Sequence, residues 1–340
     1  MIEGHGNEIY GLKGLKSDFS SNVANREAPS ELLKHLSENL HLVSAYPQAD
    51  AGTLRKALAV SLGFPLEQIL VTNGSTEAFY LIANAFHGQK ALIFTPSFAE
   101  YEDACSLHEH KLQFVEINDF EQPFKSIPDT VWLGNPNNPD GRVTPLTQIQ
   151  EKLQSYPDTL FIVDEAYGEL CLEFESALSL LHEYENLVVI HSMTKLYSIP
   201  GLRLGYLVAG KTTASRLNKY LQPWSVNTLA QTAGCFLMQN SHNLKPDVKK
   251  LLKQSQKLQK QLSTLQNLEV KPSTCNFFLI RLLKGNADSL KAYLLEHHGM
   301  LVRNASNFQG LSSQHVRISA QTEAENELLF LAIKNYLNVW

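Results

Sequence analysis

Six short apolar runs, separated by amphipathic stretches of helical period, fall between residues 69 and 210 and restrict the possible folds more than any other feature of the chain. They are ILVTN (69–73), ALIFTP (91–96), VWLGNP (131–136), TLFIVDEA (159–166), LVVIHS (187–192) and LGYLVAG (204–210). Most are continuously apolar, the pattern of strands buried on both faces of a mostly parallel sheet. Ser75–Phe86 and Pro145–Ser155 read as helices between them, which gives the βαβ order of a sheet layered by helices. The texture changes after Trp224: a Lys/Gln-rich helix over 246–265, a strand over 276–282, a helix over 287–297, short strands near 300–303 and 315–319, and a closing helix from Thr322. A chain of 340 residues exceeds one hydrophobic core. The expectation is an α/β protein with a three-layer α/β/α large domain (41–235) and a small α+β C-terminal domain (236–340). Residues 1–40 would form an arm against the small domain or a partner subunit.

Composition removes several classes of function. The formal net charge is −5 and no arm or stripe of Lys and Arg occurs, so a nucleic-acid partner is not expected. The four cysteines (Cys105, Cys171, Cys235, Cys275) are scattered, with no CxxC pair, so neither a metal cluster nor a disulfide framework is expected. MIEGHGNEIYGLKG lacks a signal-type apolar core and no apolar run reaches membrane-spanning length. A cytoplasmic protein with no membrane contact is the expectation.

Ligands of open α/β sheets bind beyond the carboxyl ends of the strands, so the residues after each run matter most. Gly74-Ser75-Thr76 opens a helix, where free N–H groups could meet an anion or Ser and Thr could simply cap. Phe98 could stack on a flat ring or belong to the core. Asn137 to Gly141 have the composition of a turn. Asp164 follows a strongly apolar strand, so its carboxylate needs a partner. Lys195 stands just past LVVIHS, where an ordinary solvated lysine is out of place and an amine nucleophile is not. Arg203, eight residues on, could reach the same anion as Ser75 and Thr76.

Taken together, these segments resemble the fold-type I enzymes that use pyridoxal 5′-phosphate, in the aspartate aminotransferase class. SMTKLYSIPGLRLGY is similar to their lysine segment, NPNNPDG to their Asn-Pro-Thr/Asp-Gly segment and DEAY to their pyridine-nitrogen segment. The resemblance implies that Lys195 holds the cofactor covalently and later carries a proton, and that Asp164 pairs with the ring nitrogen. It also implies that Asn138 and Tyr167 bond the ring's O3′ and that Phe98 stacks on its face. Ser75, Thr76, Ser192 and Arg203 would hold the phosphate. Tyr46, in AYPQAD, resembles the tyrosine that reaches a neighbouring subunit's cofactor, which implies a homodimer with shared active sites. Arg317, in HVRISA, matches the clamp for the substrate α-carboxylate.

Within this class the chain looks most like the L-threonine-O-3-phosphate decarboxylases of cobalamin biosynthesis, and next like the histidinol-phosphate aminotransferases. HGNEIYG, TPSFAEY and QPWSVNTLA carry the first likeness; Asn7 and Asp140 depart from it. Both substrates bear a phosphate, for which Arg303 is the first candidate, with His5 and Asn22 lining the pocket. The decarboxylase likeness implies conversion of L-threonine O-3-phosphate to (R)-1-amino-2-propanol O-2-phosphate. The transaminase alternative implies amino transfer from histidinol phosphate to 2-oxoglutarate. A non-catalytic cofactor-binding protein or a regulator is the rival from another class, but Lys195, Asp164 and an arginine clamp are all present, and no DNA-binding segment is evident.

Overall fold

The computed structural model describes residue 9 and residues 11–24 and 27–338. After β1 (Ser17–Asp18) come the strands of the large sheet: β2 (Ile69–Thr72), β3 (Lys90–Thr95), β4 (Lys111–Glu116), β5 (Thr130–Gly134), β6 (Leu160–Asp164), β7 (Leu187–Ser192) and β8 (Gly205–Ala209). Their order is β2-β8-β7-β6-β5-β3-β4. The inner strands β3, β5, β6 and β7 and the edge strand β4 run parallel, while β8 runs antiparallel to both of its neighbours. All five residues of β5 and all five of β6 are buried. Alternate residues serve different cores. Leu133, Phe161 and Val163 pack on one side of the sheet, and Trp132, Leu160 and Ile162 on the other. With apolar layers on both faces, the period of two is invisible in the sequence and each strand reads as one run.

β4 shows the opposite effect. It lies at the sheet's edge, and KLQFVE, half exposed along its length, gives no run to read.

The C-terminal unit holds β9 (Leu268–Lys271), β10 (Phe277–Leu282), β11 (Met300–Leu301), β12 (Arg303–Asn304) and β13 (His315–Ser319). Four of them form an antiparallel sheet in the order β12-β13-β10-β9. The stretch near Met300–Arg303 is split, because β11 pairs in parallel with β1 while β12 pairs with β13. The helices Val248–Leu262, Ala287–His298 and Glu323–Asn338 cover the sheet around Phe278, Ile280, Val316 and Ile318.

The N-terminal segment divides between the two units. Phe19 N–H donates to Leu301 C=O (2.7 Å) and Phe19 C=O accepts from Ser319 N–H (2.9 Å), whereas Ala24 N–H donates to Lys195 C=O (2.9 Å). The helix Ser30–Glu38 turns Leu32 into the large core and stacks His35 on Phe236 at 4.2 Å. The expected boundary at 235 falls inside the continuous helix Thr228–Leu244, whose Leu237 and Leu244 still pack in the large core. Among the described residues, no helix is long and apolar enough to cross a membrane.

Just past β6, the fully buried Glu165 accepts hydrogen bonds from Ser176 Oγ (2.5 Å) and Ala177 N–H (2.6 Å), and lies 3.4 Å from His191 Nε2 on β7. Burial pushes the Glu165 carboxyl up to about 8 and the His191 imidazole down to about 4. Between those values the pair holds one proton, whichever atom carries it. In the unfolded chain, with ordinary values of 4.5 and 6.5, the two groups hold one proton between them at pH 5.5 and lose it as pH rises through 6.5. The folded state therefore binds the extra proton between about pH 6.5 and 8, and stability falls as pH rises through that window. Urea unfolding of the cofactor-free protein should show this slope, and Glu165→Gln should flatten it.

Candidate active site

The carboxyl ends of β5, β6 and β7, the turn after β3 and the start of the helix Gly74–Ala85 enclose one cleft. It is lined by Ser75, Thr76, Phe98, Asn138, Asp164, Tyr167, Ser192, Lys195 and Arg203. These nine residues come from five separate stretches of sequence. Each was expected from sequence to face one ligand.

Asp164 ends β6 with both oxygens engaged: Oδ2 accepts from the Tyr101 hydroxyl (2.6 Å) and Oδ1 from Ala166 N–H (3.0 Å). Burial raises its carboxyl to about 6, against the pull of those two bonds and of the Lys195 charge. A cation placed in the cleft against this carboxyl would reverse that shift, because an opposite charge favours the ionised form. Tyr101 was not singled out from the sequence, although it closes the segment TPSFAEY. It sits three residues after Phe98, and the two rings pack edge to face at 6.0 Å.

Lys195 lies in the single turn Met193–Leu196 that follows β7, and its Nζ stands 5.7 Å from the centre of the Tyr167 ring. Ser192 and Thr194 exchange a hydrogen bond of 2.8 Å beside it. The anion side of the cleft is set by a close approach. Gly74 has φ +78°, and a Cβ there would lie 2.5 Å from Arg203 Nη2. Arg203 itself is left-handed (φ 58°). Among the described residues no side chain caps the helix at Asn73, so its first N–H groups and the guanidinium face the same space.

The turn after β5 joins this cleft to the C-terminal unit. Asn138 Oδ1 accepts from Arg317 Nη1 (2.6 Å), and Arg317 Nη2 donates to Ser20 C=O (2.5 Å). Arg317 is 5% exposed, its Nε has no partner, and no carboxylate among the described residues forms a salt bridge with it. Its guanidinium lies 5.8 Å from the Phe277 ring, which packs against Tyr167 at 4.8 Å. Arg303 stands directly opposite Arg317 in the β12–β13 register, with Nη2 donating to Asn307 Oδ1 (2.9 Å). Asp140 is fully buried and accepts from Lys271 Nζ (2.6 Å) and Asn137 Nδ2 (2.7 Å), tying this turn to β9.

The remaining expected residues lie elsewhere. Asn22 is buried with both amide atoms unpartnered, two residues past the Ser20 carbonyl that binds Arg317. Tyr46 is 87% exposed and tilts against Trp224 at 5.8 Å, outside this chain's own cleft. His5 lies outside the described residues.

The cleft fits pyridoxal 5′-phosphate on these observations: an anion cradle at one end, a buried carboxyl for a ring nitrogen, aromatic walls and one lysine. The family model for aminotransferase class I and II matches residues 16–333. The threonine-phosphate decarboxylase of Salmonella typhimurium is 32% identical, with 94% of this chain and 91% of that protein aligned. Histidinol-phosphate aminotransferase 1 of Carboxydothermus hydrogenoformans is 34% identical over 84% of this chain and 82% of its own. The crystal structure of L-threonine-O-3-phosphate decarboxylase from Porphyromonas gingivalis superposes with a TM-score of 0.92 at 42% identity, covering 95% of this chain and 100% of that one. The bifunctional adenosylcobalamin biosynthesis protein CobDQ of Leptospira interrogans is 30% identical, and this chain spans 38% of its length.

If the Gly74–Arg203 approach forms the anion cradle, Gly74→Ala should weaken binding of inorganic phosphate to the cofactor-free protein by about tenfold or more. The same change should cost about 1–2 kcal/mol in urea unfolding, because alanine strains at positive φ. Titration calorimetry and denaturation read the two effects separately.

Proposed function

The chain belongs to the aminotransferase class I and II family, and we propose that within this family it decarboxylates L-threonine O-3-phosphate to (R)-1-amino-2-propanol O-2-phosphate with pyridoxal 5′-phosphate. The observation that carries the substrate class is the pair of buried arginines, Arg317 and Arg303, directly opposed on neighbouring strands. Opposed like charges destabilise a sheet, and Arg317 is a buried cation with no salt-bridged carboxylate among the described residues, which is costly. A substrate bearing a carboxylate and a phosphate relieves both. The likeness to threonine-phosphate decarboxylases over nearly the whole chain supports the decarboxylase reading.

Bound pyridoxal phosphate supplies an electron sink conjugated to the substrate's Cα. Lys195 Nζ is the amine that holds the cofactor's aldehyde and, once free, the group that carries a proton at Cα. Asp164 would hold a proton on the ring nitrogen, its orientation fixed by Tyr101 and Ala166 N–H. Ser75, Thr76, Ser192 and Arg203 would hold the cofactor phosphate, Phe98 would stack on the ring, and Asn138 and Tyr167 would bond O3′. Arg317 takes the substrate carboxylate through its fork, and Arg303, with Asn22 and His5, takes the substrate phosphate. Tyr46 and Trp224, exposed together on one face, suit contact with a second copy, so the enzyme works as a homodimer with Tyr46 serving the partner's site. A cytoplasmic location is part of this reading, as is a place in cobalamin biosynthesis.

Histidinol-phosphate aminotransferase is the second reading, favoured by the 34% identity to such an enzyme. The purified protein, given L-threonine O-3-phosphate, should release CO2 in proportion to substrate consumed. Absence of CO2, with amino transfer from histidinol phosphate to 2-oxoglutarate, would contradict the decarboxylase reading. Arg317→Lys should lower kcat/KM by about tenfold to a thousandfold, since lysine cannot donate two parallel bonds, while leaving the absorbance of the bound cofactor unchanged. Lys195→Ala should abolish the visible absorbance of the covalently held cofactor.

A further inference from the structure

Two of the free cysteines face each other across the seam between the units. Cys171 lies in the loop that follows Tyr167, and Cys275 lies two residues before Phe277 on the approach to β10. They form an isolated antiparallel bridge. Leu172 N–H donates to Thr274 C=O (3.2 Å), which makes Cys171 and Cys275 a pair flanked by ladder bonds instead of joined by them. Such pairs hold their Cα atoms about 4.5 Å apart with the side chains close, inside the range of roughly 4.4–6.8 Å that a disulfide spans. The two positions are 104 residues apart (275 − 171), so spacing in the sequence gave no hint of the pairing.

We propose that Cys171 and Cys275 form a site of reversible thiol oxidation, which a peroxide closes to a disulfide that staples the C-terminal unit to the loop after Tyr167. The two thiols are unequal, as such a reaction requires. Cys171 is partly exposed, while Cys275 is 1% exposed with its Sγ 3.7 Å from Gly141 C=O. The neighbouring Cys275 thiol pulls Cys171 down to about 6, with help from Thr274 Oγ1 at 3.1 Å and against the effect of burial. Burial pushes Cys275 well up. Cys171 is therefore the nucleophile: its thiolate attacks a peroxide oxygen, breaks the O–O bond, and becomes a sulfenic acid as one water is formed. Cys275 Sγ then attacks the sulfenic sulfur, loses its proton, and expels the hydroxyl as the second water. Two thiols are oxidised and one hydrogen peroxide is reduced.

The test uses holoenzyme, reduced, freed of reductant, treated with hydrogen peroxide, quenched in acid, alkylated in denaturant and digested without reduction. Free thiols should fall from four to two per chain (four less the pair that joins). Mass spectrometry should find one pair of peptides joined through Cys171 and Cys275, which dithiothreitol separates. Cys171→Ser should lose that joined pair and retain its remaining thiols. Four free thiols after peroxide, a joined pair that involves other cysteines, or Cys171 carried on to sulfinic acid without a cross-link would each overturn the proposal.

Discussion

The Asp164 carboxyl closes the central strand β6 with a phenol on one oxygen and a backbone N–H on the other, and burial still lifts it to about 6. A group in that state is unfinished. The protein has fixed its position from two sides and left the cost of ionising it uncompensated, so a cation arriving in the cleft gains more than it would at the surface. The position of that carboxyl depends on β5 and β7 lying on either side of β6, which in turn depends on apolar layers over both faces of the sheet. The same sheet sets Lys195 one turn beyond β7 and the Asn137–Gly141 turn beyond β5. Charge in the cleft and packing in the core are consequences of one architecture.

A second unfinished group belongs to the other unit. Arg317, on β13, meets the cleft at Asn138, and its two hydrogen-bond partners among the described residues, Asn138 Oδ1 and Ser20 C=O, are both neutral. Three contacts set its height above the large sheet: Phe277 against Tyr167, Lys271 on Asp140, and the pairing of β1 with β11. Asp140 is part of that seam and not of the reacting centre. A departure from a family motif can thus be a change of joint, with the chemistry left intact.

Legibility in the sequence followed burial. The six runs of the large sheet were readable because each is apolar on both faces, and their helices because Gly74 and Pro145 mark their starts. β4 and β9 were missed because edge strands with solvent on one side mix Lys, Gln and Glu into the pattern. The reversal of β8 was not readable either, since direction in a sheet leaves no mark on an apolar run. At the cleft, residues with unusual chemistry just after a strand were found: Lys195, Asp164 and Arg203. Tyr101 was not, because a buried aromatic on a helix looks the same whether it fills a core or donates to a carboxylate. The Cys171–Cys275 pair was invisible for another reason, that only the fold brings such distant positions together.

The claim on which the account turns is that Lys195 is the amine that holds the cofactor. Borohydride reduction of the holoenzyme makes the covalent link permanent, and peptide mapping then locates it. The account predicts the pyridoxyl group on the peptide that contains Lys195, in unit stoichiometry. Its recovery on any other lysine, or a protein that takes up the cofactor yet yields no labelled peptide, would contradict it.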